Sequence, residues 1–101
     1  MADEIGFDWD EANIEHIARH NVMPEEAEQV LGHDPLELEP QFMDDEVRFP
    51  SVGITNRGRC LFVVATVRDD RIRVATAYDA PKYLIELYLR SNALSTLAPR
   101  E

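Results

Sequence analysis

The chain is short of cysteine, glycine and tryptophan, with one, four and one respectively, and its first 46 residues hold a single cation, Arg19. One cysteine, Cys60, forms no internal disulfide and supplies no multi-thiolate metal site; at the head of an apolar run it reads as a core thiol. No apolar run approaches the roughly 18 residues that span a bilayer, and residues 1–7 lack the basic start and apolar stretch of a signal peptide. A cytoplasmic location without membrane attachment is therefore expected. Internal repeats and low-complexity segments are also missing, so organisation must be read from periodicity and punctuation.

What is present is a divided charge. Of 20 acidic residues, 15 lie in residues 1–46, whereas nine of the 10 Lys and Arg follow, among them Arg48, Arg57, Arg59, Arg68, Arg71 and Arg73. The net charge of -10 thus conceals an acidic first half and a mildly basic second half. Partners respond to surface patches and not to the mean charge. With 101 residues, 45% hydrophobic and 30% charged, the chain suits one soluble domain with one modest core, expected over about residues 5–92 with both ends flexible.

Ile5 to Trp9 alternates apolar and acidic residues and predicts a short strand. Asp10 offers an N-cap for a helix to about His20, burying Ile14, Ile17 and Ala18, with Asn21 suited to a left-handed terminus. A second helix is expected from Pro24 to Gly32, burying Ala27, Val30 and Leu31. His33 to Asp45 reads as an acidic connection with one extended piece at Leu36 to Leu38. Three strands follow: Val47 to Ile54, where Pro50 argues for an edge or bulge; Cys60 to Val67, apolar on both faces and hence central; and Arg71 to Ala77, with Ile72, Val74 and Thr76 on one face and Arg71, Arg73 and Ala75 on the other. The turns fall at Asn56-Arg57-Gly58 and Asp69-Asp70. A helix over Ala80 to Asn92, with Leu84, Ile85, Leu87, Tyr88 and Leu89, closes an α+β layer fold. It carries more apolar surface than a small sheet covers, which points to a homodimer or partner interface.

Phe7-Asp8-Trp9-Asp10, Arg19-His20-Asn21-Val22, Glu25-Glu26-Ala27, Asp34-Pro35, Glu46-Val47-Arg48, Gly58-Arg59 and Arg71-Ile72-Arg73-Val74-Ala75-Thr76-Ala77, in that order, resemble the BrnT toxins of the RelE-like ribonuclease superfamily. The resemblance implies a compact RelE-like domain, endoribonuclease activity that inhibits translation, and a neighbouring BrnA-like, DNA-binding antitoxin. Family members usually carry Lys-His-Gly where Arg19-His20-Asn21 stands, and an arginine where Tyr78 stands. The basic segment that follows survives as Lys82 and Tyr88, with Leu84, Ile85 and Leu87 in place of charges. Fewer cations imply weaker phosphate binding and transition-state stabilisation.

Cleavage of RNA by its own 2′-hydroxyl needs a proton acceptor, cations at the phosphorane and a proton for the leaving oxygen. His20, Arg48 and Arg73 are the catalytic candidates, with Tyr78 and Glu46 as weaker proton-transfer groups. Arg19, Arg59, Arg71 and Tyr78 are candidates for RNA binding. The alternative is that the arginines pair with the acidic first half. His16 and His20, one helical turn apart, lack an obvious third metal ligand, so no metal or other cofactor is expected and His16 reads as packing over Trp9 or the sheet. Trp9 reads as a core anchor. Three classes stay open: an active toxin ribonuclease, a non-catalytic BrnT-like binding or regulatory module, and an unrelated metal- or ligand-binding domain.

Overall fold

Asp10 starts the first helix by exchanging hydrogen bonds with Asn13: its carboxylate accepts from the Asn13 N–H at 3.1 Å, and the Asn13 side-chain oxygen accepts from the Asp10 N–H at 2.8 Å. In the computed structural model, which describes residues 6–97, this helix is α1, Glu11–Ala18. Asn21 ends it with φ at 60°, while the Val22 N–H reaches the Ile17 carbonyl and the Asn21 N–H that of Ala18, so orphan carbonyls are satisfied as expected. The buried stripe differs from expectation: Asn13 is buried and Ile14 is 39% exposed. Asn13 donates to the carbonyls of Asp8 and Val74, joining the helix to the sheet edge in a way no apolar side chain could. The second helix, α2, is Pro24–Gly32, as the sequence predicts, and buries Ala27 and Val30; the left-handed residue after it is Asp34, not Gly32.

Two short strands, β1 (Leu36–Glu37) and β2 (Gln41–Met43), precede a meander of β3 (Glu46–Ile54), β4 (Cys60–Arg68) and β5 (Arg71–Asp79). All pairings among them are antiparallel, in the order β1, β3, β4, β5, with β2 also against β3. The α+β class holds. Strand β2 was not expected, because its hairpin turns on Asp44 and Asp45, at φ 48° and 63°, and not on an Asn-Gly pair. Nor is β3 an edge. Its outer side is shared by β1 and β2, and the proline falls between their pairings: Pro50 opposes Val64 on β4 while its carbonyl accepts from the Leu38 N–H on the outer side, so its nitrogen also faces outward and forfeits only the reciprocal bond to Leu38, just past the end of β1, and none toward β4. Of the predicted first strand, Ile5 lies outside the described residues, and Phe7 makes only an isolated parallel bridge to Ile72.

A bulge in β5 changes the expected faces. Val64 pairs with Thr76 but Ala65 with Val74, leaving Ala75 unpaired. Arg71 and Arg73 therefore share a face with Thr76 and Tyr78, while Ile72, Val74 and Ala77 share the opposite one. On that second face Ile17, Val22, Ala27 and Val30 pack with Leu61, Val63, Val74 and Ala77, and Trp9 packs at the margin with its indole N–H donating to Glu28 at 2.7 Å. The third helix, α3 (Lys82–Leu97), covers part of the first face, where Leu84 and Tyr88 pack with Val52, Ala80, Phe62 and Cys60. Cys60, expected in the core, is half-buried at the margin of this cluster, where desolvation pushes its thiol pKa up. Tyr83, Leu87 and Leu89 of α3 remain exposed.

Candidate functional site

Side chains two apart on a strand share a face, so the face that α3 covers at Val52 and Phe62 continues along β3 and β4 to Arg48 and Thr66 and then to Glu46 and Arg68, with Arg73 and Arg71 beside them on β5. The helix does not reach that far. With α1 lying along β5, the uncovered end becomes a cleft of about 280 Å³ whose polar lining is Asn13, His16, Glu46, Arg48, Thr66, Arg68 and Arg73.

Each arginine here meets a carboxylate. Arg73 lies 3.0 Å from Asp10 and 3.5 Å from Asp8, with 17% of its side chain exposed. Hydrogen bonding to Asp10, and then the charges of Asp10 and Asp8, raise the Arg73 pKa against desolvation; in return the guanidinium, with the Asn13 N–H, holds the Asp10 carboxyl below its ordinary value. Glu46 is the other anion, accepting from Arg48 at 3.0 Å and standing 3.7 Å from Arg68. Arg68 is the least engaged of the three cations. Its contact is the longest, and 55% of its side chain is exposed.

His16, read from sequence as a packing residue, stands in this cleft with Nε2 3.1 Å from the Thr76 hydroxyl. His20, the expected proton-transfer group, does not line it. Its ring lies 5.9 Å from that of His16 and 5.6 Å from that of Tyr78, which packs in turn on Phe62. Among the expected residues the cleft thus gathers Arg48, Arg73 and the weaker candidate Glu46, and leaves His20, Arg19, Arg59, Arg71 and Tyr78 outside its lining. Arg59 ties other elements together. It bonds Asp79 at 2.8 Å, Glu26 at 3.1 Å and the carbonyls of Asn21 and His20, and the two carboxylates, Asp79 foremost, raise its pKa. Arg71 and Arg19 are exposed, the former with its guanidinium beside Gly6.

Sequence reasoning missed His16 and Arg68. Their signals were present: His16 follows Asn13 by three residues, so the two share a helix face, and Arg68 follows Thr66 by two on β4. Assigning them needed the knowledge that Asn13 is buried against β5. Among the described residues no three His, Cys, Asp or Glu side chains converge as a metal site.

The model of a family described as the ribonuclease toxin BrnT of type II toxin-antitoxin systems matches residues 9–83. The chain belongs to the BrnT family. Membership implies a toxin with ribonuclease activity and a cognate antitoxin. The matched BrnT segment contains every residue that lines the cleft, from Ala12 to Ala75, and stops near the start of α3. Among curated proteins nothing matches the chain. No helix among the described residues is long and apolar enough to cross a membrane.

Proposed function

We propose that this BrnT-family chain is a cytoplasmic endoribonuclease that arrests translation by cleaving RNA in the cleft between α1 and the distal end of the meander. The observation that carries the reading is the convergence of Arg48, Arg68 and Arg73 with His16 and Glu46 on one open cleft. A phosphate enters beside Arg68, the freest cation, and draws Arg48 away from Glu46. His16 accepts the proton of the RNA 2′-hydroxyl as that oxygen attacks phosphorus, with the Thr76 hydroxyl orienting its ring. Guanidinium groups stabilise the phosphorane, and the departing 5′-oxygen takes a proton from water in the open cleft. No metal or cofactor is required. A DNA-binding antitoxin restrains the toxin.

A second reading rests on the pairing of Arg73 with Asp8 and Asp10 and of Arg48 with Glu46. Cations already neutralised hold phosphate poorly, so the chain would persist as a non-catalytic protein-binding module. Single-stranded RNA incubated with purified protein in chelator separates the two. Cleavage leaving a 2′,3′-cyclic phosphate, blocked by a 2′-deoxy sugar at the scissile position and slowed about 10²- to 10⁴-fold by His16→Ala, fits the first reading. Intact RNA with folded protein, together with unimpeded growth of a host expressing it, fits the second.

A further inference from the structure

On β3 and β4 the odd-numbered residues at the distal end of the sheet, and on β5 Ile72, face away from the arginine cleft, on the side carrying α1 and α2. Here the helical layer stops short. α2 packs against β3 and β4 but ends at Gly32, leaving Phe49 44% exposed and Val67 59% exposed. Together with Leu31, Leu38, Ala65 and Ile72 they line a predominantly apolar groove of about 600 Å³. The β2–β3 hairpin extends the patch, since Phe42 opposes Val47 and is 81% exposed. So large a continuous apolar surface marks an interaction site.

The rim identifies the occupant. Glu37 lines the groove, and Glu39, Asp44, Asp45, Asp69 and Asp70 are exposed in the segments that flank it; residues 32–47 contain no lysine or arginine. The nearby cations Arg68 and Arg71 lie on the opposite face by strand alternation. An acidic rim repels nucleic acid. A second copy meeting this patch isologously would bring two acidic rims together, in a chain of net charge -10. A helix fits the vacancy better than a strand, because α1 and α2 already form the layer on this face of the sheet and the groove lies beside Leu31 near the end of α2. We propose that this groove docks an amphipathic helix of a partner protein whose apolar stripe is flanked by lysine and arginine. The helix completes the layer beside α2, with side chains spaced three and four apart on Phe49, Val67 and Leu31 and basic flanks on Glu37 and Glu39. The arginine cleft stays open on the other face, so docking does not depend on whether RNA is cleaved there.

The test is selection of a displayed library of helical peptides, randomised at stripe and flanking positions, on the immobilised full chain. Enriched peptides are expected to combine an apolar stripe with Lys and Arg flanks. One of them, synthesised with a fluorophore, should bind about tenfold more weakly to Val67→Glu and to Glu37→Lys/Glu39→Lys. Its affinity should fall several-fold between about 0.05 and 0.5 M salt. Val67 is exposed and Glu37 and Glu39 lie outside the cleft, so each variant should keep wild-type circular dichroism and RNA cleavage. Failure to enrich helices, enrichment of acidic flanks, or binding indifferent to Val67→Glu would overturn the proposal. So would a wild-type dimer in sedimentation that Val67→Glu dissociates, or RNA binding lost in that variant.

Discussion

On β3 and β4 the distal even-numbered residues are Glu46, Arg48, Thr66 and Arg68, and the odd-numbered ones are Val47, Phe49, Ala65 and Val67. The same few turns of chain thus build a polar, arginine-lined cleft on one face and an apolar, acid-rimmed groove on the other. The comparison teaches that a pleat of period two lets one sheet carry two surfaces of opposite chemistry, so that the proposed substrate and the proposed partner would not compete. It also shows how the divided charge is used: acidic residues of the first half neutralise Arg73 from α1's cap and surround the groove, while the arginines gather where α3 does not reach.

The largest break in this arrangement would come from deleting Val63 in the central strand β4, which pairs with Ser51 on one side and Ala77 on the other. Deletion makes Phe62 and Val64 adjacent and forces either Leu61 and Phe62 or Val64 and Ala65 onto the wrong face. Loss of cooperative thermal unfolding is expected; a folded, active deletion would show that the β4 register does not hold the two faces in phase. Next in size, removing a cleft cation should separate chemistry from stability. Arg68→Ala should reduce RNA cleavage about 10²- to 10³-fold with little change in Tm. Arg59→Ala should do the reverse, lowering Tm by a few degrees, since about 1 kcal/mol moves Tm several degrees in a domain this size, while leaving the cleavage rate near wild type. Equal activity losses in both would place Arg59 in the RNA path.

Smaller again is the seam between α1 and β5. Asn13→Ala removes the amide that joins Asp8 and Val74 and should cost about 1–3 kcal/mol by denaturant titration. The smallest effect concerns Asp10. Its folded pKa is depressed by Arg73, so its contribution to stability is present above the unfolded value and lost as pH falls through the lower folded value. Asp10→Asn retains a good N-cap but not the charge. The Tm gap between wild type and Asp10→Asn should therefore persist at neutral pH and close below about pH 4. A gap independent of pH would mean that capping, and not the ion pair, is at stake.

Much of the fold was legible because its signals are local. Asp10 and Asn21 bound α1, Pro24 opens α2, and Asp69-Asp70 turns β4 into β5, each through the conformational preference of one or two residues. The family resemblance was equally legible, as ordered short motifs. Less legible were the features that depend on a neighbour distant in sequence. Pro50 sits inside the sheet because two short strands divide β3's far side, and β2 exists because β3 is there to pair with it.

The site shows the same division. Sequence alone determined that arginines two apart on strands share a face, that acids crowd the first half, and that two histidines stand one turn apart on α1. Tertiary structure alone decided which histidine meets the arginines. Asn13, buried 61 residues away from its partner Val74, turns α1 so that His16 reaches Thr76 while the His20 ring lies tilted against that of Tyr78. The Ala75 bulge then sets Thr76 on the face of Arg73. Both are consequences of satisfying a buried amide and a strand register across the fold, and neither has any periodicity within the chain that would announce it.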